Sequence, residues 1–186
     1  MAAIDEKHVR EVVRQVVERH LESASPKSEP AATPAAAAHR VAIGADHGGF
    51  ALKQTLIGYL RDELAWEVKD CGTHSTDAVD YPDYAAAVAR EVAAGHCVRG
   101  IVIDAAGVGS TMAANKIAGV RCALCHDDAT ALNARQHNDA NLMALGAKGV
   151  NRGLAQRLVR LFLTTKFEGG RHERRVLKIM ALERGR

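Results

Sequence analysis

Residues 100–116 read GIVIDAAGVGSTMAANK. The apolar run Ile101-Val102-Ile103 ends in a single acidic residue, Asp104, and gives way to the small-residue loop Ala105-Ala106-Gly107-Val108-Gly109-Ser110. An apolar, β-branched run followed by such a loop reads as a strand that delivers backbone amides to an anion at the start of a helix. The loop itself offers no evident nucleophile.

The same rhythm extends in both directions. RVAIGAD is an apolar strand, 48–63 a helix, WEVKDCG a strand, and 82–94 a helix with Pro82 in its first turn. After the 100–116 unit, with its helix over 109–118, come the strand VRCALCH, a helix over 127–136, the strand NLMALGA, a helix over 151–163 and a closing helix, RHERRVLKIMALER. Near-continuous apolar strands alternating with helices imply a five-stranded parallel sheet covered on both faces, a Rossmann-like three-layer α/β/α sandwich. In such sheets ligands bind beyond the carboxyl ends of the strands. That rule selects Asp46-His47, Cys71-Gly72-Thr73, Asp104 to Ser110 and the region after Cys125 as one rim.

The 186 residues suffice for one domain with some spare length; 47% are apolar and 25% charged, a globular balance. A net charge of +3 is too small to indicate nucleic acid or a membrane surface, and no apolar stretch approaches a membrane span or a signal sequence. A cytoplasmic setting is expected. There the four cysteines, Cys71, Cys97, Cys122 and Cys125, read as small buried hydrophobes rather than a disulfide frame. CALCH (122–126) matches a c-type haem attachment pattern, but its surroundings read as a buried strand, and no second ligand pair supports zinc.

Ahead of this domain, residues 5–22 place Val9, Val12, Val13, Val16, Val17 and Leu21 at helical spacing, with charged residues opposite. Residues 23–38 carry Pro26, Pro30 and Pro34, a spacing that excludes a continuous helix and favours an extended tether. A short amphipathic helix cannot bury its stripe alone. It packs on its own domain, pairs in an oligomer, or docks on another protein.

Five segments carry a family resemblance: GADHGGFALK (44–53), DYPDYA (80–85), GVGSTMAANKIAGVR (107–121), ARQHNDANLMALGAK (134–148) and FEGGRHERRV (167–176). Together, and in order over about residues 40–184, they resemble the type B ribose-5-phosphate isomerases and the related galactose-6-phosphate isomerase subunits. The N-terminal helix and tether lie outside this likeness. They resemble the encapsulation peptides of bacterial microcompartment cargo, which implies a shell-protein partner through residues 5–22.

Arg171 and Arg175 lie four apart, so on a helix they share a face and can grip a phosphate dianion together. The resemblance implies that they do so with His47 and Lys148, the latter a point charge where relatives often carry arginine. It also implies that His137 opens the furanose ring, that Asn138 helps hold the reacting oxygens, and that Asp46 and Tyr81 bind sugar hydroxyls. Proton transfer between C1 and C2 through a cis-enediolate needs one base and donors for the developing oxyanion. The amides of Gly107, Val108, Gly109 and Ser110 suit the donor role. No metal or organic cofactor is implied. A homodimer or tetramer is, because phosphate-gripping arginines in the family reach across subunits.

The chain departs from the type B pattern at the base. Typical members carry cysteine at the position of Asp104, and another branch carries glutamate at that of Ser110; GIVIDAAGVGS instead resembles the A subunit of galactose-6-phosphate isomerase. Three readings follow. Asp104 is the base, with desolvation raising its pKa from about 4; or a partner chain supplies the base; or the chain binds a sugar phosphate without turnover. Ribose 5-phosphate is the default substrate, and Ala105 and Ala106 leave room for a deoxy-pentose phosphate or a 6-phosphohexose.

Overall fold

The computed structural model describes residues 39–185, and the amphipathic helix and tether expected over 1–38 lie outside that range. The five strands are β1 (Arg40–Ala45), β2 (Glu67–Asp70), β3 (Arg99–Asp104), β4 (Cys122–Leu124) and β5 (Leu142–Gly146). The helices are α1 (Phe50–Asp62), α2 (Tyr81–Ala93), α3 (Val108–Ala114), α4 (Asp128–Gln136), α5 (Arg152–Thr164) and α6 (Glu173–Ala181). Every strand pair is parallel and the order across the sheet is β2-β1-β3-β5-β4. The expected three-layer sandwich is what forms.

Strand residues alternate between two cores because successive side chains point to opposite faces. Val41, Ile43, Ile101, Ile103, Met143 and Leu145 pack under α1, α4 and α5, against Leu56, Leu60, Leu158 and Phe162. Ala42, Val102, Leu142 and Ala144 face the other way, toward Val88 and Ala89 of α2 and Ala114 of α3. Both faces are dry, which is why these strands read as unbroken apolar runs rather than alternating ones.

One buried charge joins the first two units. Lys53 of α1 is wholly buried, and its Nζ donates to Asp70 Oδ1 at 2.5 Å. The same oxygen accepts the Gly72 amide, so the pair fixes the end of β2 where the rim begins.

The closing segment differs from the single helix expected over 171–184. Gly170–His172 form a 3-10 turn, α6 follows, and a second 3-10 turn spans Leu182–Gly185. Arg171 therefore precedes the α-helix that carries Arg175. No helix among the described residues is long and apolar enough to cross a membrane. The four cysteines are free, with Cys97, Cys122 and Cys125 buried, so the CALCH thiols are packed inside rather than offered to haem.

Candidate active site

The chain leaves β1 and β3 at the point where the strand order reverses, with β2 on one side and β5 on the other. Their carboxyl ends are neighbours: the Asp46 amide donates to Ile103 O at 3.2 Å. Asp46 is buried, and its Oδ1 accepts the Gly49 amide at 2.9 Å, shaping the turn into α1. His47 is exposed beside it, its Nδ1 accepting the Val79 amide at 3.3 Å. Lys148 is brought to the same rim because its amide bonds to Ala105 O, just as Ala147 bonds to Asp104 O.

Asp104 is 5% exposed and turned back into its own loop. Its Oδ1 accepts the amides of Ala106, at 2.7 Å, and Gly107, while Oδ2 accepts that of Ser110 at 3.0 Å. Gly107 makes this possible with a left-handed backbone, φ +79°, that a side chain would strain. Burial acts to raise the Asp104 pKa, but hydrogen bonds from the Ser110 side chain and from the three amides outweigh it, and the net shift is downward. The rise that a carboxylate base requires is absent. The expectation for the loop is corrected likewise, because the Gly107 and Ser110 amides are committed to Asp104. The donors outside that set are the amides of Val108 and Gly109, at the first two positions of α3, where a helix has no internal acceptor to offer.

Tyr81 opens α2 and leans over this loop: a Cβ placed on Gly109 would lie 2.5 Å from Tyr81 Cζ and 2.8 Å from its hydroxyl. The phenol thus lies against Gly109. Substituting Gly109→Ala should force the ring aside with little effect on stability and lower kcat/KM roughly tenfold, the usual scale for a modest misplacement in a site. Equal kcat/KM for variant and wild type, measured on the preferred sugar phosphate, would remove Tyr81 from the site.

The other expected residues lie elsewhere. His137 is the C-cap of α4, which runs back along the sheet, and Asn138 and Asp139 follow at the amino ends of β4 and β5. Arg121, next to the start of β4, bonds to Asn138 O and Asp139 O. The length of β3 separates this end from Asp104, about 16 Å at roughly 3.3 Å per residue.

His137 stacks on His172, ring centroids 4.1 Å apart and planes within 1°. Glu168 Oε2 lies 3.7 Å from His137 Nε2 and 3.9 Å from His172 Nε2. Arg171 Nε donates to His172 Nε2 at 3.2 Å, and both Arg171 and Arg175 are exposed around that buried imidazole. Burial and the positive neighbours His137, Arg171 and Arg175 hold the His172 pKa below its ordinary value, with Glu168 opposing. The Asn138 amide turns onto α4, donating to Asn133 O and Asn133 Oδ1.

His137, Glu168 and His172 bring three ligand-type atoms within 4.8 Å of one another. The two stacked rings lie in separate parallel planes, however, so one ion cannot lie in the plane of both imidazoles at about 2.1 Å from each nitrogen. The trio as arranged is a stacked acid–imidazole cluster, not a chelate.

His172, Glu168 and Asn133 went unassigned in the sequence. The histidine between the two arginines in GGRHERR was the available signal for the first. The i, i+4 spacing to His137 was the signal for Asn133, and nothing in the order of residues marks Glu168 as a neighbour. Beside Asn133 and Asn138 a cavity of about 780 Å³ opens between β4, α4 and the C-terminal segment, lined also by Arg121, Leu124, Ile179 and Leu182.

Residues 41–179 match the family described as Ribose/Galactose Isomerase. Ribose-5-phosphate isomerase B of Escherichia coli is 44% identical over 147 residues, covering 79% of this chain and 98% of that protein. The structure is similar to that of ribose-5-phosphate isomerase B of Clostridium thermocellum, with a TM-score of 0.77, 44% identity and coverage of 78% of this chain and 98% of that one. The type B enzyme of Trypanosoma brucei gives a TM-score of 0.75 at 44% identity, covering 77% and 98%.

Proposed function

Since the chain belongs to the ribose/galactose isomerase family, a family of sugar-phosphate isomerases, we propose that it interconverts an aldose phosphate and its ketose, with ribose 5-phosphate the first substrate to test, in a site built from two copies. The carrying observation is the division of the site residues between opposite ends of the sheet. Asp46, His47, Tyr81, Lys148 and the 104–110 loop stand at the carboxyl end, and His137, Arg171 and Arg175 at the other.

Neither half suffices. The carboxyl end holds hydroxyl-binding groups and helix-start donors but no paired guanidinium groups, while the amino end holds His137 with Arg171 and Arg175 and no helix-start donors for an oxyanion. In an isologous dimer whatever one chain offers its partner is offered back, so an antiparallel pairing would put one end of each chain against the opposite end of the other. Exposed apolar side chains on α3 and on the C-terminal segment, Met112, Leu177 and Leu182, offer surface for such a contact. In that site Arg171, Arg175, His47 and Lys148 grip the phosphate, His137 meets the ring oxygen, and the Val108 and Gly109 amides face the oxygens on C1 and C2.

The base is the point at which a second reading is favoured by a specific observation. A carboxylate already bound by three amides is a weak proton acceptor, and burial pushes the Cys71 thiol of the rim up to about 11, so it supplies no thiolate either. A cysteine-bearing partner chain of the same family would restore a base.

The deciding assay is aldose-to-ketose conversion of a panel of pentose and hexose phosphates by the pure protein. Turnover that survives Asp104→Asn undiminished excludes Asp104 as base, and turnover only with a cysteine-bearing paralogue supports the two-chain-type enzyme. Calorimetric binding without turnover would identify a sugar-phosphate binder. We also assign residues 1–22 to docking on a microcompartment shell and 23–38 to the tether. Deleting 1–38 should abolish packaging and leave turnover intact; loss of the folded domain would mean that the helix packs on it.

A further inference from the structure

We propose that Asn133 is a positioning residue for His137, holding its imidazole in the tautomer that carries the proton on Nε2. The inference rests on reading His137 as the group that meets the sugar ring, and it follows from the polarity of a short chain of hydrogen bonds.

A backbone carbonyl only accepts. The Asn138 side-chain nitrogen lies 3.1 Å from Asn133 O, so that end of the Asn138 amide is its NH2 group. The same nitrogen lies 2.9 Å from the Asn133 side-chain oxygen, which must accept as well. The opposite end of the Asn133 amide is then NH2, and it lies 2.9 Å from His137 Nδ1. An NH2 group has no lone pair to give, so Nδ1 is the acceptor and a neutral ring bears its hydrogen on Nε2.

Three further contacts agree with this assignment. Nε2 faces the Glu168 carboxylate, 3.7 Å away, an acceptor that suits an N–H. The stacked His172 ring holds the imidazole plane. The last backbone bond of α4, from His137 N to Asn133 O at 3.1 Å, sets the two residues one helical turn apart. A single turn of α4 therefore fixes both the place of the ring and the position of its proton. A substrate oxygen arriving at Nε2 meets a donor rather than a lone pair.

Long-range proton–nitrogen NMR of the full-length, nitrogen-15-labelled protein in alkaline buffer reads the tautomer, with His137 assigned by difference against His137→Gln. Wild type should show the Nε2–H pattern. In Asn133→Asp the carboxylate accepts from Nδ1–H, and the pattern should invert; in Asn133→Leu both tautomers should appear. Turnover supplies a second readout. A pentose 5-phosphate closes to a furanose, whereas a tetrose 4-phosphate cannot, its terminal oxygen being esterified. Asn133→Asp should lower kcat on the pentose by on the order of 10- to 100-fold, a fraction of what a positioned acid–base group contributes, and change the tetrose rate by less than about twofold.

An Nδ1–H pattern in wild type, an Asn133→Asp spectrum that does not invert, or equal losses on both sugars would overturn the proposal. Absence of wild-type turnover on either sugar would count against the isomerase reading alone, since the spectrum decides the tautomer without it.

Discussion

His47→Ala and His137→Ala, each nearly inactive alone, should regain activity when their chains are mixed, dissociated and reassociated. His47 stands at the carboxyl end of the sheet and His137 at the amino end, so the proposed two-copy site takes one from each chain. Loss of a charge-assisted phosphate contact should cost roughly 10- to 100-fold. Loss of the ring-opening imidazole should cost on the order of 10²- to 10⁴-fold. In a mixed two-fold dimer both lesions fall in one site and the other is intact, so random pairing returns about a quarter of the wild-type specific activity. Both histidines are at least partly exposed, and neither replacement empties a core position. Mass spectrometry verifies that mixed dimers have formed; a mixed population no more active than the sum of its parts would mean that each chain completes its own site.

Asp104→Ala is expected to unfold the domain at markedly lower temperature. The carboxylate is the acceptor for the amides of Ala106, Gly107 and Ser110, of which Gly107 and Ser110 are buried and cannot turn to water. Stranding buried donors costs about 1–3 kcal/mol each, so a loss of about 3 kcal/mol is expected after hydration of the exposed Ala106 amide. For a domain of this size that lowers Tm by roughly 6–12 °C.

The pH dependence of the same group has a definite sign. The folded-state pKa of Asp104 lies below its ordinary value, so the unfolded chain takes up the proton more readily. Its stabilisation is complete above the unfolded value of about 3.9 and is lost as pH falls through that value toward the folded one. Acid titrations of Tm should therefore show a limb below about pH 4 that is shallower in the variant. A Tm within about 1 °C of wild type would show that the loop holds itself without the carboxylate. Asp104→Asn is the milder probe, because it keeps an acceptor for Ala106 and Gly107 and sets an NH2 group against the Ser110 amide.

How much of this was legible in the sequence differs between the fold and the site. The strands of RVAIGAD, GIVIDAA and NLMALGA were plain because a strand covered on both faces must be apolar at every position. Pro82 in its first turn marked the start of α2 for an equally local reason. The four-residue spacing of Arg171 and Arg175 in GGRHERR could also be read directly, although the backbone tightens into a 3-10 turn before α6 and moves Arg171 off the α-helix. Asp104 was legible as an anomaly and misread in its electrostatics. Desolvation was visible in its apolar neighbours, whereas the three amides that outweigh it exist only once Gly107 turns left-handed and folds the loop over the carboxylate.

The sequence by itself determined the class of fold and the positions of its strands and of the helices between them, because each of these depends on patterns a few residues long. Tertiary structure decided which polar residues stand at the same end of the sheet. The helix α4 carries His137 back across the sheet from the rim on which Asp46, His47 and Asp104 stand, a separation set by strand length and direction that no local pattern records. It also decided the proton on His137, since that depends on which end of the Asn133 amide faces the ring, and this is fixed only by the hydrogen bonds of the folded turn.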